Sequence, residues 1–162
     1  MQGLHLAFIL MSETKYPKPT LDSIAPDFTV LNQKGESKNL YQILESGQKV
    51  LLIFYPGDMT PGCTIQLCGV RDVYSQYKAK GVTVFGVNHA NAQSHQKFID
   101  QQNYPFDILI DEDRKVSEMY GQLKFMFGYK SIKRGVYLIN TDKKIQYTIQ
   151  GQQDNQTILG LL

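Results

Sequence analysis

Six consecutive apolar residues, Val50 to Tyr55 (VLLIFY), run without interruption until Pro56. A strand with one wet face alternates apolar and polar residues, so a run with no polar member belongs to a strand covered on both faces. The residues that follow supply one of the covers. Thr60 suits a helix N-cap, Pro61 suits the first helical position, and Gly81 suits the left-handed residue just past a helix end. Val82 to Val87 (VTVFGV) reads as a second buried strand, and Ala92 to Gln102, with Phe98 and Ile99, as a helix. Phe106 to Ile110 is a third such strand, before a helix from about Asp113 to Tyr120.

Weaker signals fill in the rest. Asp27 to Val30 is β-like, Asn32 to Gly35 supplies a turn, and Leu40, Ile43 and Leu44 lie at helical spacing before Gly47. Val136 to Asn140 and Lys144 to Gln150 pair as a hairpin across Thr141-Asp142-Lys143, and Asn155 to Leu162 forms a last short helix. Strands alternating with helices, then a hairpin and a helix, predict an α/β fold with a mixed central sheet flanked by helices, compatible with the thioredoxin-like class. A chain of 162 residues fits one such domain. We assign it to residues 21–162 and read 1–20 as an N-terminal extension. Within that extension MQGLHLAFILM is too short to span a bilayer and lacks a basic n-region and a small-residue cleavage site. A reducing cytoplasm is the default expectation.

The net charge of +2, with no basic stripe interleaved with aromatics, argues against nucleic-acid binding. Both cysteines lie in YPGDMTPGCTIQLC, at 63 and 68. Two thiols do not make a secreted disulfide framework, so buried thiols, a metal or redox chemistry are the available readings. Cys63 falls at the third position of the helix begun by Pro61, where unpaired amides and the positive end of the helix dipole favour a thiolate, the nucleophilic form. Gly62 allows close approach of a substrate, and Pro56 and Pro61 stiffen the loop. In a continuous helix the Cα atoms of residues 63 and 68 are ~8.7 Å apart and point about 140° apart around the axis, beyond the ~7 Å limit for a disulfide. A bond between them therefore requires that turn to unwind. Structural zinc usually needs four ligands, and only His5, His89 and His95 could join the two thiols, which argues against it. A copper or thiol carrier of the same fold is the alternative, and copper would need a further soft or imidazole ligand, for which only His89 or His95 is a candidate.

Pro56-x-x-x-Thr60-x-x-Cys63 resembles the active-site signature of the peroxiredoxins, and DMTPGCTIQLCGVRD (Asp58 to Asp72) resembles the branch of bacterioferritin comigratory protein and peroxiredoxin Q. The likeness continues through SHQKF (94–98), DILIDED (107–113), VSEMYG (116–121) and KRGVYLIN (133–140). The resemblance implies a thiol peroxidase in which Cys63 is the peroxidatic and Cys68 the resolving cysteine. It implies that Thr60 contacts sulfur and peroxide, Pro56 shields the pocket and Arg134 pairs with the thiolate, with Gly62 and its amide at the substrate site. It implies hydrogen peroxide and organic hydroperoxides as substrates, thioredoxin or a similar dithiol as reductant, no metal or organic cofactor, and a monomer or weak dimer. Gly57 stands where the family commonly has Lys. The segment Gln122 to Lys133 reads as a loop, whose Phe125, Phe127 and Tyr129 are expected to pack, with an apolar substrate rim as the alternative.

Overall fold

The computed structural model describes residues 16–162. The first ten residues, and the rest of the proposed extension before Tyr16, lie outside the described residues. Nine strands and five helices follow in order among those described. The first are β1 (Thr29–Leu31), β2 (Ser37–Asn39), α1 (Leu40–Glu45), β3 (Lys49–Phe54), α2 (Pro61–Ala79), β4 (Val82–Asn88) and α3 (Ala92–Gln102). They are followed by β5 (Asp107–Ile110), α4 (Lys115–Met119), β6 (Leu123–Met126), β7 (Tyr129–Ile132), β8 (Gly135–Ile139), β9 (Ile145–Gln150) and α5 (Asn155–Gly160).

The main sheet has the order β5-β4-β3-β8-β9, with β3, β4 and β5 parallel and β8 and β9 antiparallel to their neighbours. The apolar run from Val50 lies in its central strand, and the pleat divides its side chains. Leu51, Ile53 and Tyr55 enter a core with Leu67 and Val70 of α2 and Phe98 of α3. Val50, Leu52 and Phe54 enter a second core with Leu40 and Leu44 of α1 and Val116 of α4. Each full burial of such a side chain stabilises the fold by about 1.5–3 kcal/mol, so two cores on one strand account for its lack of polar residues.

Three expectations change. The helix expected from Asp113 begins at Lys115, because Arg114 adopts a left-handed conformation (φ 59°) and the buried Asp111 carboxylate takes the amides of Val116 and Ser117. The first β segment is Thr29–Leu31, paired with a short β2 the sequence did not reveal. The expected loop from Gln122 to Lys133 is an antiparallel hairpin, β6 against β7, turning through Phe127 (φ 50°) and Gly128 (φ 84°). Phe125, Phe127 and Tyr129 do not pack into the body: they are 68%, 93% and 62% exposed. Among the described residues no helix is long and apolar enough to cross a membrane.

Candidate active site

Strand β3 delivers the chain to the carboxyl end of the parallel sheet, where Pro56 ends the ladder and Met59 turns it through a left-handed conformation (φ 62°) into α2. Thr60 occupies the N-cap and Pro61 the first helical position, as expected. The Thr60 hydroxyl does not cap the helix: it donates to the Gly57 carbonyl at 3.1 Å. The amides of Gly62 and Cys63, among the donors a helix start leaves over, thus have no partner among the described residues, while Thr64 N–H already bonds Thr60 O at 2.9 Å. Cys63 thus lies in a first turn with free donors, at the positive end of the helix.

Cys63 is fully buried, against the core containing Leu51 and Leu67. Its sulfur receives the Nη2 of Arg134 at 3.6 Å. Arg134 comes from the link between the β6–β7 hairpin and β8, and its Nη1 donates to Gln66 Oε1 at 2.8 Å, so the guanidinium is held at both ends. A side chain on Gly62 would meet that guanidinium: its Cβ would lie 3.0 Å from Nη2. Glycine here lets the guanidinium lie against the helix start without that contact. Thr60 and Pro61 are exposed and Gly62 is half-buried, so the helix start above the buried sulfur lies at the surface.

Cys68 lies in the same unbroken helix, and both cysteines are free thiols. Its surroundings differ. It is partly buried, with its S–H directed to Gln102 Oε1 at 3.5 Å and its sulfur 3.6 Å from the Tyr104 hydroxyl. Burial, and after it the bond with Cys68, pushes the Tyr104 phenol well above its ordinary range, so the hydroxyl stays protonated. Arg71 donates to the Gln102 carbonyl at 2.8 Å and to Asp72 at 3.0 Å.

The structure thus brings Cys63, Gly62 and Arg134 together, sets Thr60 and Pro56 on the adjoining loop, and keeps Cys68 apart on the helix. Gln66, Gln102 and Tyr104 were missed. Gln66 had a signal, since three residues after Cys63 is the same helical face; Gln102 and Tyr104 had none, being far from Cys68 in sequence. Of the two histidines among the described residues, His95 is fully buried and occupied by Asp58 and Asn88, while His89 keeps its Nδ1 without a partner. No cluster of three or more His, Cys, Asp or Glu able to hold a metal occurs among the described residues.

Residues 21–148 match the family described as AhpC/TSA. The chain is 43% identical over 122 residues to a putative peroxiredoxin bcp of Coxiella burnetii, covering 73% of this chain and 80% of the relative. It is 35% identical over 143 residues to a chloroplastic peroxiredoxin Q of Triticum aestivum, covering 88% of this chain and 64% of the relative. The fold superimposes on the crystal structure of the peroxidoxin BcpB of Mycobacterium tuberculosis with a TM-score of 0.80 at 24% identity, covering 88% of this chain and 96% of that one. A helix-borne cysteine facing an arginine and free amides, on a thioredoxin-like sheet, is the arrangement of a thiol peroxidase, and the chain belongs to the AhpC/TSA family, among the peroxiredoxins of the Bcp and Q branch.

Proposed function

We propose that Cys63 is the peroxidatic cysteine and Cys68 its resolving partner, in a cycle that consumes hydrogen peroxide or an organic hydroperoxide at the expense of a dithiol. The observation that carries this reading is Arg134 Nη2 at 3.6 Å from the sulfur of a cysteine in the first turn of α2, where the Gly62 and Cys63 amides have no partner among the described residues. The Cys63 thiolate attacks the terminal oxygen of the hydroperoxide; the O–O bond breaks and its electron pair leaves with the other oxygen. Negative charge passes from sulfur to the leaving oxygen, so donors reaching both atoms favour the transition state. Thr60, which gives its proton to Gly57, presents its oxygen lone pairs to the hydroperoxide O–H. Pro56 screens the pocket from bulk water.

The products are a Cys63 sulfenic acid and, once the leaving oxygen is protonated, water or an alcohol. The Cys68 sulfur then displaces the hydroxyl of that acid, a disulfide forms and water leaves. Because the two thiols share one helix, this step needs the turns between them to open, a local unfolding. Thioredoxin or a related dithiol restores both thiols by exchange. We place the chain in the cytoplasm, acting as a monomer or weak dimer, with residues 21–162 as the working domain. The test is hydroperoxide-dependent oxidation of NADPH through thioredoxin reductase and thioredoxin. Turnover by the wild type and none by Cys63→Ser supports the proposal; equal turnover by the two refutes it.

A further inference from the structure

Asp58 takes no part in the steps above, yet its carboxylate is among the most heavily bonded groups in the fold. Its side chain is 5% exposed, and it accepts from the Tyr55 hydroxyl at 2.7 Å on one oxygen and from Ser94 at 2.6 Å on the other. The second oxygen also meets His95 Nδ1 at 2.7 Å. Burial pushes the carboxyl up, but the bonds from His95, Ser94 and Tyr55 outweigh it and hold the group below its ordinary range. An ionised carboxylate this far from water calls for a cation.

His95 is the group that meets the call. Its side chain is fully buried, and its other nitrogen, Nε2, faces the Asn88 carbonyl at 3.3 Å. Both of its partners are acceptors, so a neutral ring would set one nitrogen lone pair against an oxygen lone pair. The other charged groups nearby do not serve. Burial, and next the charge of Arg114, pushes His89 down toward its neutral form, with the Asp58 carboxylate acting the other way. No bond joins Arg114 to Asp58 among those described, and Asp111 is occupied by Val116 and Ser117.

We propose that His95 is a positioning residue carrying protons on both ring nitrogens, the buried cation that cancels the charge of Asp58 beside the Cys63 thiolate and ties the loop 56–60 to α3. Tyr55 links the pair to the site: its hydroxyl bonds Asp58 at 2.7 Å, and its ring belongs to the same core as Cys63. With His95 in place, Asp58 is electrically silent toward the thiolate; without it, a buried negative charge opposes the nucleophilic form.

Two measurements on the reduced full chain test this. The first is histidine side-chain ¹H–¹⁵N NMR at pH 7, with resonances assigned by their loss in His95→Asn. Protons on both His95 nitrogens are expected, and a singly protonated ring overturns the proposal. The second, which rests on the peroxidase reading, is the rate of Cys63 oxidation by hydrogen peroxide, followed by quenched flow and mass. His95→Asn is expected to be slower by roughly tenfold, the order of effect of one unpaired charge in a protein interior. Asp58→Asn/His95→Asn is expected to recover to within about threefold of the wild type, because the two changes act on one pair. A double variant as slow as the single means a packing role only, and overturns the proposal. If His95→Asn does not fold, Asp58→Asn still decides: its His95 ring is expected to lose one proton, and a ring that keeps both counts against the pair. Should the wild type lack peroxidase activity, the ring-proton count alone tests the pair.

Discussion

Gly62→Ala separates catalysis from stability with a single methyl group. The added Cβ would lie 3.0 Å from Arg134 Nη2 and 3.7 Å from Cζ, too close to stay, while Gln66 holds the far side of the guanidinium at 2.8 Å. The guanidinium must therefore back away from the sulfur it meets at 3.6 Å. At an effective dielectric of about 20, a charge pair interacts by about 4.6 kcal/mol at the present separation and about 4.2 kcal/mol if it widens by about 0.4 Å, the shift that relieves the contact. The difference of about 0.4 kcal/mol predicts a roughly twofold slower reaction of Cys63 with hydrogen peroxide. Stability should move the other way. Residue 62 is inside α2 without a positive φ, and Ala is favoured over Gly in a helix by about 0.5–1 kcal/mol. The assay is the second-order oxidation rate beside a thermal melt, with Arg134→Met and the double variant for comparison. Arg134→Met should cost about 10- to 100-fold, a charge-assisted bond of about 1.5–3 kcal/mol, and Gly62→Ala should add almost nothing to it. Additive losses, or an unchanged rate in Gly62→Ala, would refute the placement of Arg134 at the sulfur.

Cys68→Ser should leave the first peroxide reaction intact within about twofold, yet accumulate sulfinic Cys63 at peroxide levels where the wild type forms a disulfide; mass spectrometry of the peroxide-treated proteins reads this out. Gly135→Ala should lower the melting temperature, because the added carbon would collide with the buried Gln122 side chain that bonds Tyr137 and Gln150; overpacking of this kind costs about 1–3 kcal/mol. Acid unfolding should feel Asp58. Burial raises its carboxyl but His95, Ser94 and Tyr55 bring it below the ordinary value, so its contribution is complete above the unfolded pKa and is lost as pH falls through the lower folded one. Asp58→Asn should accordingly flatten stability against pH across that acid window, measured by urea melts at stepped pH.

Much of this fold was legible because its strongest signals are local. The apolar run 50–55 and the Thr60-Pro61 start and Gly81 stop of α2 each follow from residues within one turn of each other. The β6–β7 hairpin was not legible. Its turn puts a phenylalanine, Phe127, at positive φ, where Asn, Asp or Gly would have announced it, and its exposed aromatics mimic a packed segment. In the site, the position of Cys63 in the first turn could be derived from capping chemistry alone. Arg134 could not: 71 residues separate it from Cys63, and only the motif resemblance singled it out. Asp58 and His95, 37 residues apart, met through the return of β4 and α3 to the end of β3, a contact that no local pattern encodes.

The central claim is that two thiols held in one helix become a disulfide once peroxide has struck the first. One equivalent of hydrogen peroxide added to the reduced protein, followed by intact mass and peptide mapping, tests it most directly. The account predicts rapid loss of two hydrogens and a Cys63–Cys68 linkage, both abolished in Cys63→Ser. Thiols that stay reduced, or a Cys63→Ser protein that consumes peroxide as fast as the wild type, would contradict it.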